Sequence, residues 1–523
     1  MEKNRLLFIP LFIGIALMVY SWFLSFPLYN HSADDLLFNH LSIYYWVSLS
    51  IILPSMFMVA LTFKSPYIKW LMAVGIVLTI YSSAYFYGLA PTVDAIYYRS
   101  LSENFIKTQT LNPAQQFYFQ WPAFFILTDV LSSVSGLSVL TLEFIMFTVV
   151  GFLLASTLFI YASKVHNTYG FLIVIGFFLS IFLFLNYQDC PFTIALALLF
   201  TIFMLEGKEK SNSEFIVIFV IFGAITLMHA FVPLYFVAYA LMRSILSKNR
   251  QYFRIFLLSL TVFLLTGITI AQFTFADNIL LALTTRSEYS SIATTTFRAA
   301  SIPIDSIIQT FSRPVTIIIV LACVTGFLVM LVKRKTSAAD KSILFAGLVF
   351  LGLGLVSFSL GSRAIPIAFV PIALGSVFLF ETKYRRYFIG LFLILLTFFA
   401  FVPLNNLIIN DSLVVFQTNE EYTTANFMIE KYDWNTPTSI FSHTTTSYYL
   451  AGATNSNVSF TPDTSVGFQS SDVPNYNFII YSVTLGKYLQ ASNVSADQIS
   501  QLIINSSDVL YNSGLSFIAE KPG

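Results

Sequence analysis

The sequence predicts an all-α polytopic membrane protein, with about thirteen transmembrane helices and a small C-terminal α/β domain outside the membrane. Three observations predict it. Mean hydropathy is +0.77, with 57% of the 523 residues hydrophobic and only 10% charged. Apolar runs near the ~20 residues needed to cross a bilayer recur along the chain. From Ile409 onward the composition turns to Ser, Thr, Asn and Tyr, with shorter apolar runs.

The runs fall at residues 6–26, 43–63, 70–87, 140–162, 170–185, 192–205, 215–228, 233–245, 255–275, 315–332, 342–360, 364–380 and 387–407. The first follows Lys3 and Arg5, lacks a small-residue cleavage site and is succeeded by more spans, so a retained signal-anchor is expected. Basic residues gather on alternate connections: Lys64 and Lys69, Lys164, Lys208 and Lys210, Arg243 to Arg254, Lys333 to Lys341, and Lys383 to Arg386. The other connections hold only Arg99, Lys107, Arg286, Arg298, Arg313 and Arg363. This bias predicts a multi-pass plasma-membrane protein with a cytoplasmic N-terminus and an extracytoplasmic C-terminus. A net charge of +1 gives no footprint for nucleic acid. Cys190 and Cys323 fall at opposite ends of the membrane, and neither belongs to a metal-binding spacing.

Three parts emerge: two leading spans (1–68), a membrane body (69–408) and an extracytoplasmic α/β domain (409–523). In the tail, 418–432 reads as a helix with acids early and Lys431 late. Residues 439–443 and 477–483 read as strands, 496–504 as a second helix, and 509–518 as a hairpin turning at Asn512–Gly514. Glycosylation sequons begin at Asn30, Asn410, Asn457, Asn493 and Asn505, all on the predicted outer side.

The rare charges draw attention to the outer loop 89–139, since ionisable groups at a membrane mouth are costly. Residues 94–105 fit an amphipathic helix, with Ile96, Tyr97, Leu101 and Phe105 on one face and Asp94, Arg99, Ser102 and Glu103 on the other. Residues 117–131 are apolar but broken by Pro122 and Asp129, and are expected to lie in the interface. A second long outer loop, 276–313, is rich in Thr and Ser and carries Arg286, Glu288 and Arg298. Loops of that length without periodicity are functional or disordered.

An acid just past a span, two interfacial helices and the run from Gln120 through Trp121 and Pro122 to Phe125 resemble integral membrane glycosyltransferases of the GT-C class. The archaeal members are most alike; the class includes protein O-mannosyltransferases and oligosaccharyltransferases. Asn186–Pro191 sits where that class carries a second acid, Asp189, and Gly361–Pro366 resembles its basic residue, Arg363, opening a late span. Residues 509–518 resemble the ending of its tails, and 276–313 falls where it keeps a mobile loop over substrate. Where many relatives have a His shortly after the first-loop acid, Tyr97 and Tyr98 stand here. The first two spans look like an addition to that core.

The resemblance implies transfer of a sugar from a polyprenyl (dolichyl) phosphate-linked donor to a glycan, lipid or protein acceptor on the outer face. Asp94 is then the expected general base, because a carboxylate in hydrogen-bond reach can activate an acceptor. Asp189 would position the acceptor or, with Asp94, hold a divalent cation through oxygen ligands. Arg363, then Arg99 and His229, would bind the phosphate, a planar guanidinium pairing two of its oxygens. Tyr97, Trp121 and Glu288 would gate the site. Simpler roles stand beside these: Asp94 and Asp189 as helix or turn caps, Arg363 snorkelling, His229 hydrogen-bonded in the interface, and Glu143 paired inside its span. Asp34 and Asp35, in a shorter outer loop, are rival acids. A transporter or flippase of lipid-linked glycans, or a non-catalytic GT-C-like binder, are the alternatives. A carrier should concentrate polar groups at mid-membrane, and here they gather at the outer mouth.

Overall fold

In the computed structural model, the described residues are 6–25, 41–80, 82, 93–111, 117–181, 191–205, 212–269, 325, 328, 337–356, 374, 377, 379–380, 382–401, 419–432, 440–442, 446, 449–450, 453, 478–482, 508–512 and 516–520. The helices are α1 (Phe8–Ser25), α2 (Ile43–Thr62), α3 (Pro66–Ile80), α4 (Val93–Thr108), α5 (Ala123–Ser135), α6 (Val139–Val165) and α7 (Gly170–Ile181). They continue as α8 (Pro191–Leu205), α9 (Asn212–Met228), α10 (Phe231–Ser247), α11 (Arg250–Thr269), α12 (Ala338–Val356), α13 (Arg385–Phe401) and α14 (Asn419–Lys431).

Among the described residues, α1, α2, α6 and α11 are long and apolar enough to cross a membrane, and α3, α8, α9 and α10 are shorter apolar helices. Phe12, Phe23 and Leu265 leave about half or more of their surface bare. In water such a surface would aggregate; in lipid it is the ordinary outer face of a bundle. The molecule is a mostly helical membrane protein.

Phe57 of α2 is fully buried; its ring stacks on Phe392 of α13 at 6.0 Å and meets Phe171 of α7 edge-on at 6.0 Å. Tyr45, Leu49 and Leu53 of the same helix are equally enclosed, and α2 packs on α1, α3 and α13. The leading pair, expected to be an addition to the core, is therefore woven into it through α2. Close approach of α1 is possible because Gly14 faces Ile52 with no room for a Cβ.

One end of the bundle is tied by lysines that donate to backbone carbonyls in a turn and at a helix C-terminus, carbonyls that lack intrahelical donors. Lys69 Nζ donates to the Thr168 carbonyl in the turn between α6 and α7 at 2.6 Å, and Lys164 Nζ donates to the Met204 carbonyl at the end of α8. At the other end α6 begins at the cap Ser138, whose hydroxyl accepts from the Thr141 amide. From Glu143 to Lys164 the helix rises about 31 Å, roughly a bilayer's hydrocarbon thickness.

The segment 117–136 breaks where Pro122 and Gly136 dictate. A short 3-10 turn, Phe117–Gln120, precedes Pro122, which stands at the N-cap of α5. Gly136 closes α5 in the left-handed region (φ 69°), donating to the Ser132 carbonyl at 2.8 Å. α5 buries Phe124 and Phe125 and exposes Ile126, Val130 and Val134.

After α14 the chain forms strands β1 (Ile440–Ser442), β2 (Phe478–Ser482), β3 (Asp508–Asn512) and β4 (Ser516–Glu520) in one sheet of order β1-β2-β4-β3. β1 and β2 are parallel, while β4 runs antiparallel to both β2 and β3. The β3–β4 pair slips register between Val509 and Tyr511. α14 packs on β2 and β4. The expected second tail helix, 496–504, lies outside the described residues.

Candidate functional site

α4 is the element around which a cluster of charged side chains is arranged. Its apolar residues Ile96, Leu101 and Phe105 are buried. Its polar side is buried too: Arg99, Ser102 and Asn104 are at most 5% exposed. The reason is that α6 covers one flank and the α14 region the other.

Arg99 Nη1 donates to Glu143 Oε2 of α6 at 3.1 Å, with both side chains nearly sealed from solvent. The guanidinium also lies over the rings of Tyr422 (5.1 Å) and Tyr449 (5.4 Å), aromatic faces that favour a cation. Glu103, one turn on from Arg99, accepts from the Tyr449 hydroxyl at 2.5 Å and from the Tyr422 hydroxyl at 3.4 Å. The Asn426 side-chain amide sits 2.9 Å from the Tyr449 hydroxyl oxygen. Burial opposes the charge of Arg99, but Glu143, then Glu103, outweigh it and raise its pKa. Burial, then the negative charge of Glu103, pushes the Tyr449 phenol well above its ordinary value, so Tyr449 acts as a donor. A small pocket beside this cluster is lined by Ala95, Arg99, Ser102, Thr128 and Glu143 among apolar side chains of α5 and α6.

Asp94 occupies the first turn of α4; its side chain is outside the described set. Tyr97 and Tyr98, standing in place of a histidine, pack edge-on against Tyr118 at 5.6 and 5.0 Å, and Tyr98 also meets Phe124. Trp121 is half-buried against the main core next to this group. His229 is 7% exposed at the start of α10, where its Nδ1 accepts from the Phe231 amide at 3.1 Å and its ring meets Phe192 edge-on at 5.0 Å. Asp34, Asp35, Asp189, Glu288, Arg363 and the sequon residues Asn30, Asn410, Asn457, Asn493 and Asn505 lie outside the described residues. Among the described residues no group of three or more His, Cys, Asp or Glu could hold a metal ion.

The structure thus brings together Arg99, Glu103 and Glu143, and adds two residues that sequence reasoning missed, Tyr422 and Tyr449. Nothing local marks those tyrosines, one on a helix and one in a Ser/Thr-rich stretch some 320 residues and more from α4.

Fold and site define a mostly helical membrane protein with a charge cluster buried where α4 meets α6. No protein-family model matches the sequence, and no curated protein matches it. Two solved structures are similar to it. One is the Archaeoglobus fulgidus oligosaccharyltransferase in complex with Zn and sulfate (TM-score 0.47, 11% identity, 87% of this chain against 73% of that one). The other is the archaeal oligosaccharyltransferase AglB from Archaeoglobus fulgidus with an inhibitory peptide and a dolichol-phosphate (TM-score 0.48, 11% identity, 87% against 74%).

Proposed function

We propose that the protein is a glycosyltransferase of the GT-C kind, moving a sugar from a polyprenyl phosphate-linked donor to an acceptor at the outer membrane face. In this reading about thirteen spans carry the chain from an inner N-terminus to an outer α/β tail at 409–523, with 1–68 leading into the body 69–408. The observation that carries it is a helix that begins with an acid, follows a span, and has its polar face sealed by a second span and the α14 region. Sealing a catalytic helix from water strengthens every electrostatic interaction made there.

Asp94 takes the proton from the acceptor nucleophile as its lone pair attacks the anomeric carbon. The bond from that carbon to the phosphate oxygen breaks, and the electron pair leaves on the phosphate. Arg363 stabilises the charge gathered there, with Asp189 orienting the acceptor. Asp94 and Asp189 are the oxygen ligands a divalent cation would use. The placement of Glu143 and Arg99 near the start of α6 supports a surface enzyme over a carrier, whose charges belong at mid-membrane.

The test is turnover of labelled polyprenyl phosphate-linked sugars by purified protein, wild type against Asp94→Asn. Loss of the base should lower the rate about 10²–10⁴-fold. Undiminished turnover would move the role to Asp34, Asp35 or Asp189. Carrier binding without turnover from any donor would overturn the enzyme reading in favour of a flippase or binding protein.

A further inference from the structure

We infer that Glu103 is a positioning residue: by accepting from Tyr449 and Tyr422 it latches the C-terminal region onto α4 and so fixes the helix on which Asp94 stands. The inference rests on the proposed glycosyl transfer for its kinetic consequence, but the latch itself is a structural claim.

The contact has two parts. Ile96 belongs to the same buried apolar cluster as Ala425, Met428, Ile440, Tyr449 and Leu450, separate from the main core of the bundle. Seven residues on, and so on the same face of α4, Glu103 receives the two phenols. The two points are about 10 Å apart along the helix. A single contact would let α4 roll or tilt; two on one face fix both. One turn before Glu103, Arg99 binds Glu143 of α6 while its guanidinium lies over the rings of Tyr422 and Tyr449, so α4 is held between a span and the C-terminal region. Productive geometry for a proton transfer tolerates only about half an ångström. A helix held at one flank alone would lose that tolerance without losing its fold.

Glu103→Ala and Tyr449→Phe should each lower kcat about tenfold to a hundredfold with donor KM changed less than about twofold, because the reacting distance and not donor binding is disturbed. Their double variant should be no worse than the stronger single one, the mark of a shared contact. Glu103→Gln, which keeps an oxygen for one phenol, should recover part of the rate. A structural readout runs beside the kinetics. Spin labels at the exposed positions Lys107 and Lys431, placed as cysteines in full-length protein with Cys190 and Cys323 replaced by Ser, report the separation of α4 and α14. Wild type should give one narrow distance distribution, and both single variants a broadened one. If either single variant will not purify, Tyr422→Phe, which removes only the 3.4 Å bond, serves in its place with a smaller broadening.

Unchanged distance distributions would overturn the latch. So would a rate loss without broadening, or losses from the two variants that multiply. Broadening in the variants with no wild-type turnover would leave the latch standing and sink the proposed enzymology.

Discussion

Removing one partner of the Arg99–Glu143 pair should cost far more than removing both. Side-chain exposure is 1% for Arg99 and 6% for Glu143, and the contact is 3.1 Å. At an effective dielectric near 20 their attraction is about 5 kcal/mol, and it is opposed by a desolvation cost of several kcal/mol per ion. The pair is therefore close to neutral against an apolar replacement. Breaking it costs about 3–5 kcal/mol, because one charge is left buried alone. The two single variants should differ. Glu143→Leu leaves Arg99 with Glu103 and two aromatic faces, so its cost falls near the low end. Arg99→Met leaves two carboxylates without their shared cation and falls near the high end. Thermal unfolding in detergent reads this at roughly 2 °C per kcal/mol for a large domain, so falls of roughly 6 and 10 °C are expected. The double variant Arg99→Met/Glu143→Leu should return to within a few degrees of wild type. A double variant less stable than either single would refute the reasoning, since it would mean the side chains contribute separately.

Three further perturbations test the packing. Ala at Gly170 would bring a Cβ to 2.8 Å from the Ala162 carbonyl carbon, a backbone atom that cannot turn aside, so a loss of about 1–3 kcal/mol is expected by thermal unfolding. Gly75→Ala meets only the thioether end of Met56 at 2.9 Å and should cost less than about 1 kcal/mol, because that end re-rotates. Phe57→Ala should cost about 3–5 kcal/mol in the same measurement, because α2 is core; a cost near zero would return the leading spans to the status of an appendage.

The helices were legible where burial is governed by one solvent boundary. Apolar runs marked α1, α2 and α6, and Gly136 and Pro122 marked the ends of α5, since those signals are local. β2 and β4 are short apolar runs with flanking turn residues, also local. The burial of the polar residues of α4 was not legible, for the opposite reason. Periodicity separates apolar from polar sides, but it does not say what covers the polar one. Arg99, Glu103, Tyr422 and Tyr449 are unremarkable singly; their meaning comes from contacts across more than 300 residues. Glu143 was the exception. A lone acid in an apolar helix needs a partner, so its pairing was legible while the partner's identity was not.

The distribution of polar contacts along α6 bears on why the tail matters. At the Lys164 end, the lysines donate to backbone carbonyls of a turn and of a helix end, contacts that any globular bundle end would use. At the Glu143 end, side chains pair with side chains, two carboxylates for one cation, and the seam is closed by phenols from a distant part of the chain. Such a network is costly unless every member is satisfied, so it makes no sense as mere stabiliser: apolar residues would hold the seam as well. What it adds is directional specificity, one rotation and one tilt of α4. A tail serving only as a lid over substrate would need no buried contact with the helix beneath it. Here it grips that helix at Ile96 and at Glu103, which ties the geometry of the first turn of α4 to whether the C-terminal region is docked.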